Sequence, residues 1–70
     1  MTNLYQNRLL RLPDVLNLVG LRRSTLYALV ASQDFPAPIP LTGSGRAVAW
    51  LASDVERWIQ SRITQKGVAL

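Results

Sequence analysis

The 70 residues predict a mainly α domain with one small β-hairpin, on three observations. Two short apolar stripes, over residues 15–19 and 26–30, are separated by the six residues Gly20-Leu21-Arg22-Arg23-Ser24-Thr25. Prolines at 36, 38 and 40 alternate ahead of Gly43-Ser44-Gly45 and the apolar run 47–51, the pattern of an edge strand, a turn and a returning strand. Directly afterwards Val55, Trp58, Ile59 and Ile63 recur at helical spacing. Three helices and a two-stranded wing are therefore expected within residues 9–65, with residues 1–8 and 66–70 as tails.

Residues 9–11 read as extended chain, and Leu12 is steered away from helix by the proline after it. Pro13 suits the first helical position, where its missing N–H costs nothing. Asp14 then complements the helix dipole from the first turn. Val15, Leu16 and Val19 form the inward stripe. Gly20 ends this helix, being the residue that most readily takes a left-handed position. A Schellman-type ending would fold Leu21 back on Leu16. The second helix restarts at about Arg23 and runs to Ser32. It buries Leu26, Leu29 and Val30, turns Ser24, Thr25, Ala28 and Ser32 away, and keeps Tyr27 on the flank. Two helices joined by a turn of about three residues make a helix-turn-helix.

In the hairpin, residues two apart direct their N–H groups to the same side. The three prolines thus face outward together, and Ala37, Ile39 and Leu41 are left to pair inward. Thr42-Gly43-Ser44-Gly45-Arg46 makes the turn, and residues 47–51 return with Val48 and Trp50 on one face. Ser53-Asp54-Val55-Glu56 has the form of a capping box opening the third helix. Arg57 and Arg62 lie off that helix's apolar stripe. Trp50 and Trp58 fall in register with apolar neighbours and are expected in the core. The whole is a winged helix-turn-helix.

Composition narrows the chemistry. With 49% hydrophobic residues the chain can build one compact core. It has no cysteine and no histidine, which excludes disulfides and Cys/His metal sites. Its four carboxylates suggest no acid–base pair, since Asp14 and Glu56 have helix-start roles. Gly43-Ser44-Gly45 lacks the lysine and following helix of a phosphate loop. An enzyme is not expected, nor a cofactor or small-molecule ligand. No apolar stretch reaches the ~20 residues of a membrane span, and residues 1–7 are too polar for a signal peptide, so a cytoplasmic protein is expected. Eight cations against four anions give a net charge of +4, and seven of the eight are arginine. Arginine's planar fork suits phosphates and guanine edges better than lysine does.

Three of those arginines, Arg22, Arg23 and Arg46, fall where a helix-turn-helix meets DNA. Arg22 and Arg23 break two local rules together: arginine caps poorly, at a cost of about 1 kcal/mol, and cations oppose the dipole at a helix start. Such violations gather at functional positions. Contact with phosphate or guanine is expected for both. Ser24 and Thr25 stand where a recognition helix reaches base edges or phosphates, although their hydroxyls could equally satisfy first-turn N–H groups. Tyr27 is expected to pack its ring at the core edge and offer its hydroxyl to a phosphate. Ala28 keeps the outer face slim enough for close approach. On the wing, Thr42, Ser44 and Arg46 are expected to grip flanking phosphate or minor groove.

With these parts placed, the chain resembles the AlpA-like phage regulators and excisionases, small relatives of the MerR-type winged-helix domain. The resemblance is carried by Leu10-Arg11-Leu12-Pro13-Asp14-Val15 and by Gly20-Leu21-Arg22-Arg23-Ser24-Thr25-Leu26-Tyr27. Phe35-Pro36, Gly45-Arg46-Ala47-Val48-Ala49-Trp50 and Asp54-Val55-Glu56-Arg57-Trp58-Ile59 complete it. Members often carry serine where Arg22 stands and a cation where Ala28 stands. The resemblance implies a protein of a prophage or integrative element that binds DNA near an attachment site or promoter. There it would direct an integrase toward excision, or regulate the integrase gene. Double-stranded DNA is the expected partner, with an integrase or further copies of the chain on adjacent sites. The alternative is an interaction module that keeps the fold but binds an integrase or other protein in place of DNA.

Overall fold

The computed structural model describes residues 8–65, so the expected tails over 1–8 and 66–70 lie outside the described residues except for Arg8, whose carbonyl accepts from the Ala52 N–H. The order is β1 (Leu9–Leu10), α1 (Leu12–Val19), α2 (Arg23–Ala31), β2 (Ile39–Pro40), β3 (Val48–Leu51) and α3 (Ala52–Gln65). This is a winged helix-turn-helix. One feature exceeds the two-stranded wing read from the sequence: the sheet has three strands, ordered β1-β3-β2 and antiparallel throughout. Leu9 and Leu10 sit opposite Leu51 and Trp50, while Ile39 and Pro40 sit opposite Ala49 and Val48. Two residues are too few to announce a strand by alternation, which is why β1 read only as extended chain.

Helix α1 begins one residue earlier than expected. Arg11 holds the extended cap position (φ −83°, ψ 166°), and Pro13 falls at the second helical position. Pro13 still sacrifices no helical bond there, because the first four N–H groups of a helix have no partner within it. Asp14 stands in the first turn, and Val15 is fully buried. Gly20 closes the helix at φ 71°, its N–H donating to Leu16 O at 2.8 Å. This single bond is the simpler left-handed ending and not the Schellman pair. Leu16 and Leu21 both pack against the core.

Helix α2 ends on the motif that α1 lacks. The Gln33 N–H donates to Val30 O at 3.0 Å, and the Asp34 N–H donates to Leu29 O at 2.8 Å. These are the two bonds of a Schellman ending. Its left-handed position holds Gln33 at φ 66°, the one non-glycine residue with positive φ among the described residues.

The core gathers Leu10, Val15, Leu26, Phe35, Trp50, Ala52 and Val55. Trp50 is fully buried, with Tyr27 and Phe35 edge-on at ring-centroid distances of 6.3 and 6.5 Å. Trp58 is half-buried against the core and meets Phe35 edge-on at 4.9 Å. Both indoles also act as staples. Trp50 Nε1–H donates to Pro36 O at 2.8 Å, and Trp58 Nε1–H donates to Asp34 O at 2.7 Å. They fix the proline-rich link that leads from α2 to the wing. Ala49, on the other face of β3, is fully buried too, so the central strand is covered on both sides.

Three further expectations need correction. Ile63 lies on the helical stripe of α3 yet is 52% exposed, since the core ends before that turn of helix. Ile39 and Leu41 pair inward through backbone alone: the Leu41 N–H donates to Ala47 O at 2.7 Å, but both side chains are exposed. The capping box is absent. Helix α3 starts at Ala52 directly after β3, and the Ala52 N–H is met by Arg8 O at 2.7 Å. Among the described residues neither Ser53 nor Glu56 makes a side-chain hydrogen bond. The cap position falls on Leu51, the last strand residue, whose side chain offers no acceptor, and the Arg8 carbonyl of the neighbouring segment supplies one.

Candidate nucleic-acid interface

Helix α2 is oriented by its buried side. Leu26 is fully buried, while Leu29 and Val30 pack partly against the core, which turns Ser24, Thr25, Ala28 and Ser32 outward. The exposed surface is built of small side chains that would not hold a partner at a distance. Arg22 is the cap residue (φ −81°, ψ 158°) and makes no side-chain cap bond. Guanidinium carries only donors, so it has nothing to offer the first-turn N–H groups. Those groups therefore stay free to meet an external acceptor. Two arginines and the positive end of the dipole then share one spot, an arrangement suited to anions.

Tyr27 is half-buried, its ring against Trp50. The guanidinium carbon of Arg23 lies over the Tyr27 ring, 5.9 Å from its centroid. Arg22, Arg23, Ser24, Thr25, Tyr27 and Ala28 thus share one continuous helix surface.

The wing residues form a separate group on the turn between β2 and β3. Thr42 Oγ1 and Ser44 Oγ are 3.1 Å apart, the Arg46 N–H donates to Ser44 Oγ at 3.3 Å, and the Gly45 N–H donates to Thr42 O at 3.1 Å. Gly45 sits at φ 74°, a left-handed turn position that favours glycine. The two hydroxyls are engaged in shaping the turn. Arg46 is exposed at its end.

Charge is distributed unequally among the arginines. Among the described residues the one ion pair is Arg57 to Asp54, at 3.5 Å. Arg62 lies over the Trp58 ring at 4.9 Å and also bonds Gln65 Oε1 at 3.1 Å. These two arginines of α3 serve their own chain. Arg22, Arg23 and Arg46 have no carboxylate partner among the described residues. Sequence reasoning passed over Arg11, which caps α1 as Arg22 caps α2, exposed and without a cap bond. The signal was available: each helix of the pair is preceded by arginine where serine or aspartate would be ordinary. Among the described residues no cluster of carboxylates could hold a metal ion, and no helix is long and apolar enough to cross a membrane.

The sequence matches the family described as Prophage CP4-57 regulatory protein (AlpA) over residues 8–63. The chain belongs to the AlpA family. That span includes every part of the helix-turn-helix and wing. A protein of Enterobacteria phage P4 described as uncharacterized protein ORF88 is 47% identical to the chain over 58 residues. The alignment covers 83% of this chain and 64% of that protein, so the chain spans just under two thirds of its relative's length. The AlpA family is a regulatory one by its description.

Proposed function

We propose that the chain is a sequence-preferring DNA-binding regulator of a prophage or integrative element. Helix α2 enters a major groove, and the wing grips flanking phosphate or minor groove. The observation that supports this best is the start of α2: an uncapped helix end, two arginines without carboxylate partners and a slim exposed face behind them. Arg22, Ser24, Thr25 and Ala28 face bases or backbone, Arg23 and Tyr27 flank them, and Arg46 reaches from the wing, with Thr42 and Ser44 beside it. One short helix reads only a few base pairs, too few to find one locus in a genome. Several copies on adjacent sites, or an integrase, would supply the missing selectivity. The role is that of an excision factor, a regulator of the integrase gene, or both.

The test is binding to the attachment region and integrase promoter of the chain's own element, against scrambled DNA, over a salt series. With about four to five phosphates neutralised, log affinity should fall against log salt with a slope of about −4. Sequence preference with that slope supports the reading. Weak, equal binding to all DNA, together with capture of the integrase, would turn the same surface into a protein-interaction module.

A further inference from the structure

We propose that Tyr27 is a positioning residue that holds Arg23 as a phosphate clamp at the rim of the groove, leaving base reading to the outward face of α2. This rests on the DNA-binding reading above. Arg23 and Tyr27 are four residues apart, so they stack along one side of the helix. That side is neither the buried stripe of Leu26, Leu29 and Val30 nor the outward face of Ser24, Thr25 and Ala28. It is the flank between them. A helix lying in a major groove turns its outward face to the bases and its flanks to the two phosphate walls.

The flank is anchored from inside. Trp50 is fully buried, with its indole N–H held by Pro36 O at 2.8 Å. Tyr27 meets that indole edge-on at 6.3 Å and 60°. The Arg23 guanidinium carbon lies 5.9 Å from the Tyr27 ring centroid, within the range of a cation–π contact. An unbroken series of contacts runs from the core to this guanidinium. Arg22, one residue earlier, makes no comparable aromatic contact among the described residues. A guanidinium lying on a ring keeps its N–H groups directed outward in its plane, available to a phosphate oxygen. An arginine already so placed loses less rotamer freedom on binding than one sampling solvent. The Tyr27 hydroxyl makes no hydrogen bond among the described residues, so the ring is the part that acts within the chain.

The experiment compares wild type, Arg23→Ala, Tyr27→Phe, Tyr27→Leu and the double variant Arg23→Ala/Tyr27→Leu on preferred and scrambled duplexes. Affinity is read over a salt series, with melting curves to confirm folding. Arg23→Ala should lose about tenfold on both duplexes and flatten the salt slope by about one unit. Tyr27→Phe should bind as wild type. Tyr27→Leu should lose about threefold with the slope unchanged, and the double variant should bind no worse than Arg23→Ala alone. In the free protein, the Arg23 side-chain protons should show an upfield ring-current shift in wild type and Tyr27→Phe. That readout needs neither DNA nor the leucine variant.

A missing ring-current shift in wild type overturns the clamp while leaving the DNA reading intact. So does Tyr27→Phe falling as far as Tyr27→Leu, which would give the work to the hydroxyl. An Arg23→Ala loss confined to the preferred duplex would make Arg23 a base reader. A wild-type chain that shows the shift but has no affinity for DNA overturns the DNA reading, and the clamp with it.

Discussion

Replacing Gln33 by glycine should stabilise the protein. Gln33 closes α2 at φ 66°, in the left-handed position of a Schellman ending. An L side chain there costs roughly 1–2 kcal/mol, because Cβ crowds the following carbonyl oxygen. Glycine relieves that crowding but widens the unfolded ensemble, which returns roughly 0.5–1 kcal/mol. The expected net gain is about 0.5–1 kcal/mol. For a domain of this size each kcal/mol moves the melting temperature by roughly 4–8 °C, so Gln33→Gly should melt about 5 °C higher. Gln33→Ala keeps the Cβ and serves as the control, with a melting temperature near that of wild type. The assay is reversible thermal unfolding followed by circular dichroism. Urea melts should show a higher midpoint at constant slope, as a change in stability alone requires. The reasoning is refuted if Gln33→Gly melts at or below wild type while Gln33→Ala is neutral. The left-handed position would then carry less strain than glycine's wider unfolded ensemble costs.

Ser53→Ala should change stability by less than about 0.5 kcal/mol, against the ~1 kcal/mol lost with a true serine cap; chemical denaturation measures the difference. Trp50→Phe removes both filled volume and the donor to Pro36 O, and should cost about 2–3 kcal/mol, seen as a melting temperature lower by 10 °C or more. Ser44→Ala should leave the melting temperature unchanged, because its hydroxyl shapes only the exposed turn. The same variant should weaken DNA binding a few-fold by loosening Arg46, roughly 0.5–1 kcal/mol in anisotropy titrations.

Much of this architecture was legible because single residues carry narrow conformational meaning. Gly20 announced the end of α1, and the alternating prolines announced an edge strand. The apolar spacing of Leu26, Leu29 and Val30 fixed which side of α2 would face out, and with it the candidate surface. What escaped reading depended on partners distant in sequence. Nothing local in Leu9-Leu10 says that these residues pair with Trp50 and Leu51. The same pairing brings Arg8 O to Ala52, which makes the serine of the apparent capping box redundant. Gln33 escaped because the left-handed preference belongs to glycine and asparagine, so a glutamine there is visible only in the backbone. The indole bonds to Asp34 O and Pro36 O were hidden for a similar reason: a tryptophan's burial can be read from periodicity, but its N–H acceptor cannot. For the candidate site, position was readable and engagement was not. Thr42 and Ser44 were read as wing contacts, yet their hydroxyls face each other, and Arg57 and Arg62, read only as lying off the apolar stripe, engage Asp54 and Trp58 of their own chain.

The pairing of β1 with β3 also bears on how the chain is made. The strand that seats Tyr27 through Trp50 is synthesised well after the second helix, and its other partner lies at the start of the domain. Closing that sheet joins segments about forty residues apart, a step that local helix formation cannot replace. A ribosome stalled in the wing would therefore hold a nascent chain with every residue of α2 but no strand to seat it. Premature termination at that point should yield a fragment whose second helix has no sheet to pack on. The second helix gains its seat only once Trp50 has left the exit tunnel, so the fold closes as a whole molecule.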